Sequence, residues 1–251
     1  MNRLFYILLL FCATIFAQNE ALFKHANSLY NEGKYSEAIE KYDAILKSKK
    51  HSSELYFNLA NSYYKLNNIP NSIFYYEKAL QLNPDDEEIK NNLVYAQNMT
   101  IDAIDVIPEV GFSKLIKNLT NRFSFDAWAK TSIVFVFCFV ILFLVYYFAT
   151  YTLLKRLTFI GSIVTLLLIV ICLAFAFKKF SLDKRDNPAI VFAQESQVKS
   201  DPNLKSEEVF RLHEGTKVQV LETYNSWKKI QLSDGKTGWV LAEDIKLLNN
   251  F

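Results

Sequence analysis

The sequence predicts a multidomain chain: an all-α helical repeat, then a two-helix transmembrane hairpin, then a small all-β barrel. Three observations predict it. Phe23, Ala26, Asn27, Tyr30 and Tyr42 recur thirty-four residues later as Phe57, Ala60, Asn61, Tyr64 and Tyr76, a period that marks stacked helix pairs. Two runs, Thr131 to Tyr151 and Leu157 to Phe177, carry no charge; each spans about 31 Å as a helix, close to the hydrocarbon thickness of a bilayer. Beyond Asn187 the apolar residues alternate with period two between clusters of turn residues.

Residues 1–17 read as a secretory signal peptide, with one cation at Arg3, an apolar run Leu4 to Phe16, and Ile15-Phe16-Ala17 as a cleavage site before Gln18. That run is too short to span a bilayer. Lipidation at Cys12 is disfavoured, because Phe11 stands where a small residue is wanted and the apolar run continues past the cysteine. Cys12, Cys138 and Cys172 all lie in apolar segments, so the soluble parts have no disulfide framework. Lys and Arg number 28 against 26 Asp and Glu, interspersed along the soluble segments. That balance excludes a nucleic-acid binder.

The repeat domain is expected over 18–99. Leu22, Ala26 and Leu29 share one helix face, and Ala38, Tyr42 and Ile45 share the face of a second. Gly33 and its counterpart Asn67 fit tight interhelical turns that need positive φ. Pro70 suits the first turn of a fourth helix, Asn83-Pro84 ends it, and Asp85 to Glu88 supply negative charge to a fifth carrying Ile89, Leu93 and Ala96. Ala60, Ser72, Tyr76 and Pro84 resemble the small, small, aromatic and proline positions of the tetratricopeptide repeat (TPR). The resemblance implies two repeats and a capping helix. The first repeat departs from it, having Lys47-Ser48-Lys49-Lys50 where a closing proline belongs. Two repeats are few for a stacking array, so extra packing against the membrane or a partner is expected. Phe23, Asn27 and Tyr30, with Phe57, Asn61 and Tyr64, are spaced i, i+4, i+7. They read either as a peptide-binding groove or as residue types the repeat prefers there. The subtype that captures C-terminal carboxylates is excluded, because Phe23 and Glu88 stand where cations are needed.

Residues 100–129 are expected to hold a linker and an amphipathic juxtamembrane helix. Phe112, Leu115, Ile116, Leu119 and Phe123 take one face, with Lys114, Lys117, Asn118 and Arg122 elsewhere. Such a helix lies on the bilayer surface or docks on the repeats. The hairpin follows over 130–178, with Lys155 and Arg156 at its turn, aromatic residues Trp128, Tyr146, Tyr147 and Tyr151 near the interfaces, and a linker over 179–186. The signal puts the repeats outside and the turn in the cytoplasm; Lys178, Lys179, Lys184 and Arg185 then lie outside, against the positive-inside rule. Neither uncharged run holds a residue for a proton or ion path. Cys138 and Cys172 fall at similar depth in a symmetric hairpin, as a thiol pair or as small apolar fillers.

Over 187–251, Ala189, Val191 and Ala193 alternate, as do Val218 with Val220 and Ile230 with Leu232, between turns such as Glu214-Gly215 and Asp234-Gly235. The run from Leu212 to Val218, then Trp227-Lys228-Lys229-Ile230 and Gly238-Trp239-Val240, resembles the bacterial SH3 domain. The resemblance implies cell-wall or protein binding, with Tyr224, Trp227 and Trp239 as candidates for an exposed aromatic ledge and Trp227 alternatively in the core. A polyproline site is not expected.

His25, His51 and His213 lie in different elements, none with metal-ligand spacing, and no nucleophile or phosphate-loop motif occurs. The expectation is a chain with no catalytic residues, metal or cofactor. The order of modules resembles the BatE-type aerotolerance proteins. That resemblance implies a bacterial inner-membrane, two-pass accessory protein with its TPR and SH3 domains on the periplasmic side. Its implied partners are membrane proteins with von Willebrand A domains and a MoxR-type ATPase, in an oxygen or stress tolerance system. The physical expectation is a bivalent adaptor whose tethered modules raise each other's effective concentration; the rival is a wall sensor that binds peptidoglycan.

Overall fold

Each helix boundary in the N-terminal half has a local cause. The computed structural model describes residues 19–104 and 111–249; the signal peptide and Cys12 lie outside them. Helix α1 covers 19–31, followed by α2 (Tyr35–Lys47), α3 (Ser53–Lys65), α4 (Ile69–Leu82) and α5 (Glu87–Gln97). Gly33 and Asn67 turn the chain between paired helices at φ 78° and 56°. The exit from the first repeat, which lacks a proline, uses Lys49 at φ 58°. Ser52 caps α3 by accepting from the Leu55 N–H at 3.1 Å, and Asp86 caps α5 by accepting from the Glu88 and Ile89 N–H groups at 3.0 and 3.2 Å.

Seven strands follow at the C-terminus: β1 (Pro188–Val191), β2 (Glu195–Lys199), β3 (Glu208–His213), β4 (Lys217–Tyr224), β5 (Trp227–Gln231), β6 (Thr237–Leu241) and β7 (Ile245–Leu247). They form one antiparallel sheet in the order β3-β2-β6-β5-β4-β1-β7, with register shifts at Val198/Lys199 and Val220/Glu222. Leu212 from one edge strand and Ile245 from the other share a single core with Val198, Val220, Ile230 and Val240. The sheet is therefore curled on itself, as a barrel requires.

Helices α1–α5 and the barrel belong to one compact unit. Strand β1 is buried at all four positions. Ala189 and Val191 enter the barrel core, while Ile190 points the other way and joins Leu248 in the helical core with Ile69, Ile73 and Phe74. The extra packing that two repeats need thus comes from the chain's own barrel. Lys217 Nζ lies 2.7 Å from both carboxylate oxygens of Glu77, and Phe74 meets Phe192 edge to face at 5.9 Å. Asp102, just past α5, accepts from the His213 N–H at 2.7 Å and the Thr216 hydroxyl at 2.6 Å and faces His213 Nδ1 at 2.7 Å. Burial opposes its charge, but the hydrogen bonds from Thr216 and His213 win and hold the carboxyl below its ordinary value. The expectation of two separately tethered modules is corrected: they are docked.

Lys78 of α4 is buried beside this seam, and burial with the nearby Lys246 ammonium lowers its pKa to about 8. The unfolded chain, titrating near 10.5 at this group, holds more protons between those values. Stability should therefore rise with pH through that window, by on the order of 2 kcal/mol between pH 7 and 9.5. Melting of the full chain in nanodiscs at both pH values checks this, and Lys78→Met should reduce the slope to the share left by Lys246, whose pKa burial also lowers.

The second unit spans 107–186. It holds α6 (Phe112–Asn121), α7 (Phe125–Phe148) and α8 (Thr152–Arg185). Helices α7 and α8 are long and apolar enough to cross a membrane, with mean hydropathies of 2.5 and 2.9. Small residues line their contact: Thr158, Ser162 and Ala176 are buried, and a Cβ on Gly161 would sit 3.3 Å from Leu142. Ser162 and Thr158 return their hydroxyls to the Phe159 and Leu154 carbonyls at 2.7 and 2.8 Å. The chain reverses at 149–151, so Lys155 and Arg156 lie inside α8, not at the turn. The segment 179–186 is likewise no linker as far as Arg185, because α8 continues through it to a length of 34 residues. Cys172 packs with Trp128 and Ala176, a level ten residues before Cys138 in α7. The similar-depth pairing is thereby corrected, and both thiols are free.

Helix α6 is held at its end: Trp128 Nε1 donates to the Thr120 carbonyl at 3.1 Å, and Lys179 Nζ donates to Asn121 Oδ1 at 3.2 Å. Its apolar residues Phe112, Leu115 and Leu119 remain 76, 65 and 46% exposed.

Candidate functional site

The repeat period builds the groove. Asn27 Oδ1 accepts from the Tyr42 hydroxyl at 2.7 Å and from Asn58 Nδ2 at 3.1 Å; one repeat later Asn61 Oδ1 accepts from the Tyr76 hydroxyl and from Asn92 Nδ2 at 3.1 Å. Burial pushes the Tyr42 and Tyr76 phenols far above their ordinary value, so both stay donors. With its amide oxygen engaged, Asn61 keeps its Nδ2 group as a donor toward the pocket that it lines. Phe23 packs on Tyr42 at 5.9 Å and Phe57 on Tyr76 at 6.0 Å, in the same tilted arrangement.

Three pockets follow this row of first helices. Tyr30, Asn61 and Tyr64 come together in one of about 380 Å³ that Tyr95 also lines. Phe23 lines a second of about 520 Å³ with Ile45 and Leu55, and Phe57 a third of about 390 Å³ with Asn58 and Ile89. Asn27 lines none of these pockets, its oxygen being tied to Tyr42 and Asn58. The sequence reading missed Asn58, Asn92 and Tyr95. Asn58 and Asn92 are thirty-four residues apart, and that repetition was the available signal.

On the barrel the ledge is smaller than expected. Tyr224 is 54% exposed, but Trp227 and Trp239 are only 7 and 9% exposed. Trp227 starts β5 opposite Tyr224, and Trp239 is covered by Tyr224, edge-on at 6.5 Å, with Lys229 over its ring at 5.9 Å. Trp239 is corrected from an exposed aromatic to a buried one, and of the two readings of Trp227, ledge or core, the structure has the core.

Among the described residues no group of three or more His, Cys, Asp or Glu side chains could hold a metal ion. His213 does meet a carboxylate, 111 residues away in sequence, but Thr216 donates to that same Asp102 and not to the imidazole. The trio is a structural latch between helices and barrel, without the nucleophile-to-base hydrogen bond of a relay.

Residues 196–246 match the family model described as bacterial SH3 domain, and residues 53–86 and 20–48 match two tetratricopeptide-repeat models. Helices α1–α4 are tetratricopeptide repeats and the barrel carries a bacterial SH3 domain. Domains of these kinds serve protein–protein interaction or cell-wall binding. No curated protein matches the chain. Among solved structures, an NlpC/P60 family protein from Bacillus cereus ATCC 10987 is 14% identical over 28% of this chain, with a TM-score of 0.22. The match spans 23% of that structure's length.

Proposed function

We propose that the chain is a non-catalytic membrane adaptor of the BatE aerotolerance type, which holds an extended segment of a partner protein in its TPR groove. The observation that carries this reading is the open groove of half-buried aromatics and amide donors, on repeats whose α4 is already covered by the SH3 domain. The covered side braces the array and the uncovered side binds. This replaces two independent binding modules with one rigid body, so affinity comes from preorganisation more than from tethering.

The docking also supports a two-pass topology. Segments 19–104 and 187–249 pack together through Ile190 and Leu248, which supports a shared side of the bilayer and an even number of crossings between them. The periplasmic side is part of the proposal and is supported by the apolar N-terminal run read as a secretory signal. The exposed apolar residues of α6, flanked by Lys114, Lys117 and Arg122, suit the bilayer surface beside the hairpin. The proposed partners are membrane proteins with von Willebrand A domains and a MoxR-type ATPase, acting in oxygen or stress tolerance, on the strength of the module order. A peptidoglycan sensor is the second reading, favoured by the bacterial type of the SH3 domain; of the three ledge residues, burial of Trp227 and Trp239 leaves Tyr224 for stacking on sugars.

Affinity purification of the tagged full-length protein from its native membrane, with mass spectrometry, tests the proposal. Von Willebrand A membrane proteins should be enriched and should fall about tenfold with Tyr64→Ala, the loss expected for one aromatic anchor. Recovery of wall-synthesis or wall-cleaving enzymes alone would contradict it.

A further inference from the structure

We infer that α6 and the adjoining end of α8 hold the headgroup phosphates of anionic lipids at one end of the hairpin. The inference rests on the bilayer-surface reading of α6 above and names the class of lipid. Segments 111–130 and 178–186 carry eight Lys and Arg against three Asp, whereas 149–156, where the hairpin reverses, carries Lys155 and Arg156. The two basic segments meet in space: Lys179 Nζ donates to Asn121 Oδ1 at 3.2 Å, and the Phe125 and Phe180 rings lie 5.5 Å apart. Lys179 is paired with Asp183 at 2.8 Å. Lys114, Arg122, Lys130, Lys178 and Lys184 are exposed and pair with no carboxylate among the described residues.

An apolar face beside these cations identifies what covers them. Phe112, Leu115 and Leu119 fall on one face of α6, Phe123 follows, and all four remain exposed, while Lys114 and Arg122 fall outside that face. Three residues separate α6 from α7, so the face adjoins the exposed apolar surface of a helix long enough to cross a bilayer. Acyl chains suit the face, and headgroup phosphates suit the cations, whose methylene stems pass the apolar side chains on the way out. A soluble anion would answer the cations but leave the rings in water. Zwitterionic headgroups carry their own ammonium, so anionic lipids gain most; each Lys or Arg near such a surface strengthens attachment about fivefold. In the proposed topology these cations are exported, against the positive-inside rule, and headgroup binding gives them a role on that side.

Fluorescence of a Leu115→Trp variant of the full-length protein tests this, in nanodiscs that mix phosphatidylcholine with phosphatidylglycerol and carry bromine on the acyl chains of one or the other. The wild-type emission is subtracted. Brominated phosphatidylglycerol should quench the new tryptophan at about fivefold lower mole fraction than brominated phosphatidylcholine. That preference should vanish when Lys114→Gln and Arg122→Gln are added, and should shrink as salt screens the charges. Equal quenching by the two lipids would overturn this inference and leave α6 on the bilayer surface. Loss of the preference on adding free glycerol phosphate would assign the cations to a soluble anion and overturn it as well. No quenching by either lipid would overturn both the inference and the bilayer-surface reading.

Discussion

Gly215→Ala is expected to loosen the SH3 domain from the repeats at a cost of about 2–4 kcal/mol. Gly215 turns from β3 into β4 at φ 88°, in the left-handed region. An added Cβ would lie 2.8 Å from Thr100 Cγ2, 3.3 Å from Ile73 Cδ1 and 3.5 Å from Ile69 Cγ2. The backbone contributes about 1 kcal/mol, and overpacking a filled seam adds about 1–3 kcal/mol. Gly33→Ala separates the two terms, since its φ of 78° is similar and nothing lies within 4 Å of its Cβ. It should cost only the backbone share. Hydrogen exchange at Ile190 and Leu248 should accelerate in the Gly215 variant and stay slow in the Gly33 variant. Equal effects in both would mean that the seam contributes nothing.

Trp128→Ala should release α6 from the hairpin, at about 2–4 kcal/mol. The indole is 7% exposed, stacks on Phe175 at 5.0 Å, meets Phe123 edge to face at 5.1 Å, and donates to the Thr120 carbonyl. Truncating a buried aromatic of this size costs about 3–5 kcal/mol in a water-soluble core, and between apolar helices in a bilayer the hydrophobic share of that cost is smaller. Tryptic cleavage after Lys114, Lys117 and Arg122 in nanodiscs should quicken at least tenfold. Unchanged cleavage would mean that α6 is held by something other than this indole.

The internal repeat, the helix faces and the uncharged spans were legible because each is a local pattern with a physical period. Gly33 and Asn67 were legible for the same reason, since positive φ selects their types. The docking was not. Its members Phe74, Asp102, Ile190 and Leu248 lie far apart in sequence, and each has an adequate local explanation in its own element. One signal was present: Pro188-Ala189-Ile190-Val191 is apolar throughout, and a strand without alternation is covered on both faces. In the groove, the Asn27 and Asn61 positions could be read from the period, but which amide atom of Asn61 remained for a ligand depended on Tyr76 crossing from the next helix. For Trp227 and Trp239, residue type alone could not separate ledge from core, because a tryptophan on a half-buried strand suits either.

The repeats and the SH3 domain pack as one docked body, and the proposed topology puts both on one side of the membrane. Carbodiimide coupling in intact native membranes, which joins only a carboxylate and an amine already in contact, tests this most directly. A Glu77–Lys217 amide should be recovered by mass spectrometry, since these groups are 2.7 Å apart, and its yield should drop sharply with Gly215→Ala. Absence of that amide from the wild-type protein, under conditions that couple Lys90 to Glu87 within α5, would contradict both the docking and the shared side.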